Sequence, residues 1–517
     1  MVDAREYHER TKHTPRELRG SDFRLDRSNK PRPYKIYEDL ARFVPPTSVD
    51  PPDEPVLSAL AQRRPEPMCG PDDPGDAGDP DVYTLCHFAT GVTKELEREG
   101  EIMEALEQDR ETVRFRAASC TGKLYHVDLY AVTGECGAFD PGVYHFDPHA
   151  GGFDVLREGD YRGVLAEAAG NHGGVATAPV TFVATSEWWR NAWKYRARTY
   201  RHAFWDSGTI LANLLAVAHA AGRRASVVAG FADDSVTGLL GVDPEEEAPL
   251  ELVPVGSGAP VPDAPSIDPI DPAEAPLSEA PVDYPLVPDA WRQSTLPDGD
   301  AVRAWRERGD GADLGTSAPG DGERVELDPV DAATASARPV GTTIERRGSL
   351  REFSHDPVSE RKFATILDRA LRGVPTDLAR GRGLLDCYCL VHAVEGVDPG
   401  AYRYHPGANV LERIGETDRE TAGRLALDQP VVGDAAANVY LLTDVERVVE
   451  HLGNRGYRLA QLEGGVALGR LYLATYAHLG LGGRGFTFYD DLVTDHLSPR
   501  AAGRTPMTMF AFGKAET

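Results

Sequence analysis

The feature that most constrains the fold of this sequence is an internal repeat. Shifted by 257 positions, residues 200–256 align with residues 457–513 without a gap, and the stretch Phe-x-Asp-Asp-x-Val-Thr occurs in both blocks. A shift of 258 positions aligns the Pro-Gly turn and strand at 141–148 with those at 399–406. A repeat of this length predicts two copies of one structural unit within a single polypeptide.

Each copy predicts the same set of elements. In the first copy, residues 124–132 and 179–185 have the composition of buried strands, and 227–231 indicates a further short strand. Residues 201–221 are apolar on more than one side, which predicts a buried central helix, with Gly222 placed as its C-terminal glycine. Helices around an antiparallel or mixed sheet make the predicted fold class α+β.

The repeat divides the chain into four segments. We expect an N-terminal extension with a mobile loop over 1–82, a first domain over 83–256, a linker over 257–340 and a second domain over 341–517. The linker is rich in Pro and Asp and cannot bury enough apolar surface to fold alone. It either runs free or wraps around the other half.

Composition excludes several classes of function. The net charge of −27 over 517 residues argues against a nucleic-acid partner. No apolar run is long enough for a membrane span, and the charged N-terminus does not resemble a secretory signal, so we expect a cytoplasmic protein. Many carboxylates with few lysines are typical of a halophilic cytoplasm. The six cysteines show no zinc-ligand spacing, so we expect free thiols and no metal.

Other polar residues have a structural interpretation. The Asp pairs at 233–234 and 490–491 recur in both copies at the start of a predicted helix, so we expect them to cap it rather than to bind a metal. His145 and His149 flank an Asp-Pro turn, and we expect both at the surface.

A short motif opens the second copy. Arg347, Ser349 and Arg351 bring two guanidinium groups and a hydroxyl together within five residues. These groups can surround a phosphate with charge-assisted hydrogen bonds. The same motif can also occur by chance on a surface, so its place at the start of a repeat copy is what favours a phosphate site.

The Arg-x-Ser-x-Arg motif resembles the entry motif of nitroreductases. Three further stretches are similar to the SagB-type (thiazoline/oxazoline oxidase-like) dehydrogenases of that superfamily. They are YHERTKH at 7–13, the element from Arg116 to Tyr125, and Lys194-Tyr195 in WKYRARTYR. Ala118 replaces a proline of the family's Arg-x-x-Pro-Ser-x-Gly-x-Leu-Tyr-Pro element, and His126 replaces its second proline.

The resemblance implies two nitroreductase-like domains that form an intrachain pseudo-dimer with FMN bound between them. It gives Lys194 and Tyr195 as the catalytic pair that handles the proton. The phosphate motif occurs only in the second copy and the Lys-Tyr pair only in the first, so we expect one composite flavin site and a degenerate mirror site. The cofactor-binding residues that the resemblance implies are Arg347, Ser349, Arg351, Arg116, Ser119, Cys120, Gly122, Phe486 and Thr487.

Three functions stay open from the sequence. The resemblance favours hydride transfer between flavin N5 and a small-molecule or modified-peptide substrate. The second is a general nitro or quinone reductase with NAD(P)H as donor, since nitroreductases need no separate dinucleotide fold. The third is a non-catalytic flavin-binding protein, which the replaced prolines favour.

Overall fold

Two antiparallel sheets, each flanked by helices, form the frame of the molecule in a computed structural model. The residues that the structure describes are 2–46, 48–61, 79–98, 111–310, 314, 320, 322–331, 338–378 and 383–516. Most of the loop predicted at 64–81 lies outside them.

The helices and strands follow in chain order. The helices are α1 (Ala4–Arg10), α2 (Pro15–Gly20), α3 (Val56–Ala61), α4 (Val82–Thr90), α5 (Arg162–Ala168), α6 (Gly173–Thr177), α7 (Trp188–Tyr195), α8 (Thr199–Ala220), α9 (Asp233–Leu240), α10 (Leu286–Arg292), α11 (Gly299–Asp310), α12 (Val340–Arg346), α13 (Glu360–Ala370), α14 (Arg419–Leu425), α15 (Pro430–Asp434), α16 (Val445–Tyr476) and α17 (Asp490–Leu497). The strands are β1 (Ala41–Phe43), β2 (Val92–Arg98), β3 (Glu111–Arg116), β4 (Val127–Thr133), β5 (Gly142–Asp147), β6 (Gly152–Glu158), β7 (Val180–Glu187), β8 (Glu247–Val255), β9 (Arg324–Glu326), β10 (Asp386–Val391), β11 (Gly400–His405), β12 (Val410–Gly415), β13 (Ala437–Thr443), β14 (Leu481–Phe486) and β15 (Thr505–Lys514).

The two sheets share one connectivity. The first has the strand order β1-β6-β5-β4-β7-β8, and the second has β14-β15-β13-β10-β11-β12-β9. Five strands of the first sheet, β6-β5-β4-β7-β8, therefore correspond in order to β12-β11-β10-β13-β15 of the second. All pairings within both sheets are antiparallel, which confirms the α+β fold class with two sheet domains.

Several local predictions are confirmed and one is wrong. Gly222 has a φ of 71° directly after Ala221, the C-terminal capping residue of α8, which is the left-handed conformation of a helix C-terminal glycine. Residues 227–231 do not form a strand. Val227 and Val228 make isolated bridges, to Thr376 and Leu252 respectively, because the chain leaves the sheet at once to begin α9.

The two long helices α8 and α16 cross at the centre of the molecule. Gly208 of α8 lies against Gly465 of α16, and a Cβ added to Gly208 would lie 2.4 Å from the carbonyl carbon of Gly465. These two glycines are equivalent under the 257-residue shift, so each contacts its own counterpart. Such a self-contact is what a twofold axis between equivalent units requires.

Buried ion pairs across the halves are reciprocal. Each pair joins the first residue of a short helix to two arginines of the opposite half: Asp490 to Arg198 (3.2 Å) and Arg201 (2.6 Å), and Asp233 to Arg455 (2.6 Å) and Arg458 (2.8 Å). The prediction that the aspartates cap their helices is wrong, since neither α9 nor α17 has a side-chain cap. A carboxylate in the first turn of a helix is often a cap, which is why the sequence predicted one. Here the carboxylates pair instead with arginines that lie more than 200 residues away in sequence.

Two arms complete the reciprocal pattern. One is near the N-terminus of the chain and includes residues 8–13, and the other lies between the halves and includes residues 291–296. The backbone N–H of His13 donates to the Asp490 carboxylate (2.8 Å), and that of Leu296 donates to the Asp233 carboxylate (2.9 Å). Beside them, Thr11 Oγ1 accepts from Arg201 (3.0 Å), and the corresponding Ser294 Oγ accepts from Arg458 (2.6 Å). Residues 8–13 and 291–296 therefore occupy equivalent places on opposite halves.

The equivalence continues along both segments. β1 extends the first sheet at β6, and β9 extends the second sheet at β12. Helices α1, α2 and α3 correspond in order to α10, α11 and α12. Much of the segment expected as a linker therefore wraps around the other half, with Trp291 and Trp305 each 1% exposed in the core.

His145 lies in the interior, so the expectation that it is at the surface is wrong. Its Nδ1 is 3.0 Å from the Asp154 carboxylate and its Nε2 is 4.0 Å from that of Asp128. The strand β5 turns this side chain towards a polar layer inside the first half, whereas His149 is exposed as expected. None of the helices in the described part of the chain has the length and apolar character that crossing a bilayer requires.

Candidate active site

The Arg-x-Ser-x-Arg motif lies where α12 ends, beside an edge strand of the second sheet. The N–H of Leu350 donates to the carbonyl of Gly483 (3.2 Å), which fixes the motif alongside β14. Ser349 and Arg351 are exposed, and neither side chain bonds to another residue in the described ranges. A cation and a hydroxyl that have no protein partner are available to an anionic ligand.

Arg347 joins the motif to the first half. Its Nε and Nη2 donate to the carbonyl of Ala117 (3.1 and 3.0 Å), and Nη2 also donates to the carbonyl of Arg116 (3.0 Å). The guanidinium lies 5.6 Å from the ring centroid of Tyr472. Among the described residues no partner reaches Nη1, so part of this cation remains available.

Arg116 itself is buried and committed to protein contacts. Its guanidinium lies 5.0 Å from the ring centroids of Tyr34 and Tyr125, and its Nη2 donates to the carbonyl of Pro33 (2.5 Å). Its backbone N–H donates to the phenol of Tyr125 (3.2 Å). The structure therefore places this predicted cofactor ligand beneath Pro33 and Tyr34, beside a small pocket that Ser119 and Cys120 also line.

The loop from Ser119 to Gly122 is held by Asp206 of α8. The carboxylate accepts from the Thr121 N–H (2.9 and 3.0 Å), the Thr121 hydroxyl (2.7 Å), the Cys120 thiol (3.1 Å) and His126 Nε2 (2.9 Å). Burial, with Asp206 beside it, raises the pKa of Cys120 well above its usual range, so this residue remains a thiol. Asp206 thus fixes the shape of the loop that the sequence predicts to approach a flavin.

Cys120, His126 and Asp206 have potential ligand atoms that lie within 4.8 Å of one another. The described bonds among them, and from His126 Nδ1 to the Ser186 hydroxyl (2.9 Å), satisfy these atoms within the protein. These three residues therefore form a hydrogen-bonded cluster.

Lys194 and Tyr195 end α7 next to this loop. A Cβ added to Gly122 would lie 2.9 Å from the Tyr195 hydroxyl, and Gly122 has a φ of 67°, so glycine is needed there on both counts. Partial burial, followed by the nearby charge of Arg484, lowers the pKa of Lys194. Burial and then Asp206 raise the pKa of Tyr195, which keeps it a neutral phenol.

Arg484 comes from the second half, on β14. Its charge acts on Lys194 and on Tyr195, and its guanidinium lies 4.9 Å from the ring centroid of Phe486. The pair from the first half therefore lies within electrostatic range of a strand of the second half. Neither Arg484 nor Asp206 was singled out from the sequence. An aspartate within an otherwise apolar helix was the available signal for Asp206.

The turn at Phe486 and Thr487 follows β14. The N–H of Gly485 donates to the hydroxyl of Tyr472 (2.8 Å), which anchors the approach to the turn. Thr487 Oγ1 is buried and has no hydrogen-bond partner among the residues that the structure describes. A buried hydroxyl without a partner is costly unless a ligand satisfies it, so this turn has the property of a ligand-binding wall.

The mirror position in the other half is filled by protein. Under the repeat shifts, Asp377 stands at the position of Ser119, and Gly230 at that of Thr487. The Asp377 carboxylate accepts from the N–H groups of Ala229 (2.9 Å) and Gly230 (3.1 Å) and from Arg306 Nε (2.7 Å). The two backbone N–H groups of this turn are therefore satisfied by the Asp377 carboxylate, and Arg306 of α11 donates to the same carboxylate.

Helix α11 supplies the rest of that filling. The Trp305 ring lies 3.0 Å from the point where a Cβ on Gly230 would stand. Its Nε1 donates to the carbonyl of Leu452 (2.9 Å), which is the counterpart of Tyr195. The two halves thus differ in the way that the sequence asymmetry indicates, with an open set of side chains on one side and a packed interior on the other.

Comparison with known proteins shows which family this chain resembles. The family model described as Nitroreductase family matches residues 95–257, which include the Ser119–Gly122 loop and the Lys194–Tyr195 pair. A curated protein of Methanocaldococcus jannaschii that carries a nitroreductase name is 30% identical over 164 residues, which are 29% of this chain and 80% of that protein. A crystal structure from Anabaena variabilis, also titled as a nitroreductase, superposes with a TM-score of 0.73 at 22% identity, and the match covers 100% of both chains. The last comparison shows the fold over the whole chain, and the sequence matches together establish that the chain belongs to the nitroreductase family.

Proposed function

We propose that this chain is an FMN-dependent oxidoreductase of the SagB type, with one composite site in which hydride passes between a substrate and flavin N5. We further propose that the chain arose by tandem duplication and that its substrate is a small molecule or a modified peptide. The observation that carries the proposal is the contact of Arg347 with the carbonyls of Arg116 and Ala117. It joins the two motifs across the halves.

The side chains around this contact fit a flavin mononucleotide. Ser349 and Arg351 are exposed beside Arg347 and would hold the phosphate. The unpartnered hydroxyl of Thr487 would face the ring system, and the ring would supply the hydride chemistry that no protein side chain offers.

Lys194 and Tyr195 supply the proton chemistry on the substrate side. A lysine whose pKa is lowered by desolvation and by Arg484 loses its proton more readily, so its Nζ can accept one from the substrate. Tyr195 stays protonated and can donate a hydrogen bond from its hydroxyl. Asp206 keeps the loop beneath Tyr195 in place through its bonds to Thr121.

The mirror site is the reason for proposing one flavin per chain. Asp377 and Trp305 occupy the positions that correspond to the open side chains of the composite site. Removing the carboxylate would leave Arg306 and two buried N–H groups without their acceptor, so the filling is built into the fold.

The test is the visible absorption spectrum of the full chain, purified in high salt, with the flavin released and counted. We expect FMN at one per chain. Arg351→Ala should weaken FMN binding by about 10-fold or more, the scale of one charge-assisted hydrogen bond. Arg361→Ala, on the exposed side of α13, is the matched control and should bind FMN like the parent.

Other outcomes separate the alternatives. Two flavins per chain would contradict the single composite site. Colourless protein that takes up no added FMN would overturn the enzyme proposal. Steady-state NAD(P)H oxidation with a quinone, undiminished in Lys194→Ala, would instead favour a general reductase.

A further inference from the structure

We propose that the groove between helix α2 and Arg196 binds an anionic group of the substrate, with Arg196 as its anchor. This inference rests on the proposed function, because Arg196, which lines the groove, directly follows the Lys194–Tyr195 pair in the chain. It goes beyond that function by naming the chemistry of the molecule that enters.

The groove is open, with a volume of about 460 Å³. One wall is the N-terminal arm and the other is the residue that directly follows the Lys-Tyr pair. Its lining residues are Thr14, Arg16, Glu17, Gly20, Ser21 and Arg196. The guanidinium of Arg196 lies 5.0 Å from the ring centroid of Phe23, so this side chain extends towards the arm.

The backbone of Arg196 is held in a conformation that favours glycine. Its φ is 51° and its ψ is −137°. At the equivalent position of the second half the chain has Gly453, with a φ of 66° and a ψ of −168°. One half therefore makes this turn with glycine, whereas the other keeps a large cationic residue at a cost in backbone strain. Strain of this kind is retained where the side chain is needed for something other than folding.

In the other half, a longer helix fills the space beside the counterparts of Cys120 and Tyr195. Helix α11, which corresponds to α2, has 12 residues where α2 has 6. Its additional turns place Gly309 against Leu378 and Leu452, the counterparts of Cys120 and Tyr195.

The charges around the groove are cationic in a protein of net charge −27. Arg16 and Arg196 line the groove and have no ion pair with a carboxylate among the described residues, and Glu17 is the one acidic residue in the lining. Uncompensated cations concentrated at one opening of an acidic protein attract anions and disfavour cationic ligands. A carboxylate or a phosphate has the matching charge and can accept two parallel bonds from a guanidinium.

The test uses calorimetric titration of the full chain with 4-nitrobenzoate and with the neutral 4-nitrobenzyl alcohol at one fixed salt concentration. We expect the parent to bind the anion about 10-fold or more tightly than the alcohol, from one charge-assisted contact. Arg196→Gly should remove this preference and leave the melting temperature unchanged or higher, because glycine suits the backbone. Arg361→Gln is the matched control and should keep the preference.

The outcomes separate this inference from the proposed function, since the titration needs no turnover. Flavin-loaded protein with no preference for the anion, or a preference that survives Arg196→Gly, would overturn the inference alone. Parallel titration with NADPH identifies the source of the anion. Arg196→Gly that weakens NADPH but not 4-nitrobenzoate would assign the group to the phosphates of a nucleotide donor. A fall in melting temperature with unchanged binding would give Arg196 a structural role and contradict the inference.

Discussion

Gly208 and Gly465 touch at the crossing of the two central helices, and a side chain on either would enter the backbone of the opposite helix. A Cβ on Gly208 would lie 2.4 Å from Gly465, and one on Gly465 would lie 2.5 Å from the carbonyl oxygen of Phe204. Backbone cannot give way as a flexible side chain can. We therefore expect Gly208→Ala to lower the free energy of unfolding by about 1–3 kcal/mol, the usual cost of overpacking a core.

Chemical denaturation measures this loss. Gly238→Ala in α9 is the control, since nothing lies within 4 Å of the added methyl group. Alanine there should be neutral or stabilising by up to about 1 kcal/mol, because it restricts the unfolded chain. Equal effects of the two substitutions would contradict the close crossing.

The buried ion pairs predict an acid-sensitive contact between the halves. Although burial opposes ionisation, Arg198 and Arg201 hold the pKa of Asp490 well below its usual range. A carboxyl group with a depressed folded pKa stabilises the fold above its unfolded pKa of about 3.9, and this stabilisation is lost as the pH falls through the folded value. Asp490→Asn should therefore flatten the acid limb of the stability curve.

At neutral pH the same substitution should cost about 3–5 kcal/mol, because it leaves two buried guanidinium groups uncompensated. Its neighbour Asp491, exposed and paired with Lys12 at 2.9 Å, gives the control. Asp491→Asn should cost under about 1 kcal/mol. Thermal unfolding across pH measures the stability of both variants. Equal stabilities would contradict the role of Asp490 as the partner of the two buried arginines.

The buried carboxyl group of Glu251 leads us to expect the opposite dependence of stability on pH. Burial raises the pKa of this carboxyl group to about 8, and the bond from the Ser207 hydroxyl offsets only part of the shift. A raised folded pKa favours the neutral form, so its contribution is complete below the unfolded pKa and is lost as the pH rises through about 8. Stability should therefore fall between those pKa values by up to about 1.4 kcal/mol per pH unit.

Glu251→Gln should reduce that slope and be more stable than the parent above the folded pKa, and the slope that remains is that of Glu187, whose pKa burial also raises to about 8. Glu246→Gln, an exposed neighbour at the start of the same strand, should leave the slope intact. Denaturation midpoints in matched buffers at several pH values measure the slope for the parent and for both variants. A parent curve without the slope would show that Glu251 is ionised when folded.

Lys194 predicts the alkaline behaviour of the proposed reaction. Its pKa is lowered by desolvation and by Arg484, so the rate should rise with pH through an apparent pKa below the ordinary 10.5 as its Nζ loses a proton. Lys194→Arg should keep the flavin, lose this limb and lower kcat by roughly 10²–10⁴-fold, the range of general base catalysis. Lys362→Arg on α13 is the control and should retain the rise of the rate with pH. If Lys194→Arg also retained this rise, the titrating group would be a residue other than Lys194.

The sequence predicted the parts of the fold in which the two copies still share residues. The aligned blocks run through the central helices and the final strands, where packing around Gly208 and Gly465 leaves little freedom to change. The arms were missed because residues 8–13 and 291–296 share almost no side chains. Their equivalence lies in backbone N–H and carbonyl groups, and in the exchange of Thr11 for Ser294.

Long-range partners explain the remaining differences. Asp233 lies in a first helical turn, where sequence reasoning expects a cap, but its two arginines come from the far half. Likewise, Asp206 holds the loop at Thr121 across 85 residues, and no local pattern marks that pairing. The substitution of His126 for an expected proline was visible, whereas its bond to Asp206 was not.

The reciprocal arms have a consequence for how this protein behaves on dilution. In a pair of separate chains, a site shared between subunits is lost as the concentration falls below the dissociation constant of the pair. Here the two partners are tethered by one backbone, so each half meets the other at a fixed effective concentration. Occupancy of the proposed composite site should then depend on the cofactor concentration alone, and a sample diluted a thousandfold with excess cofactor should keep its specific activity.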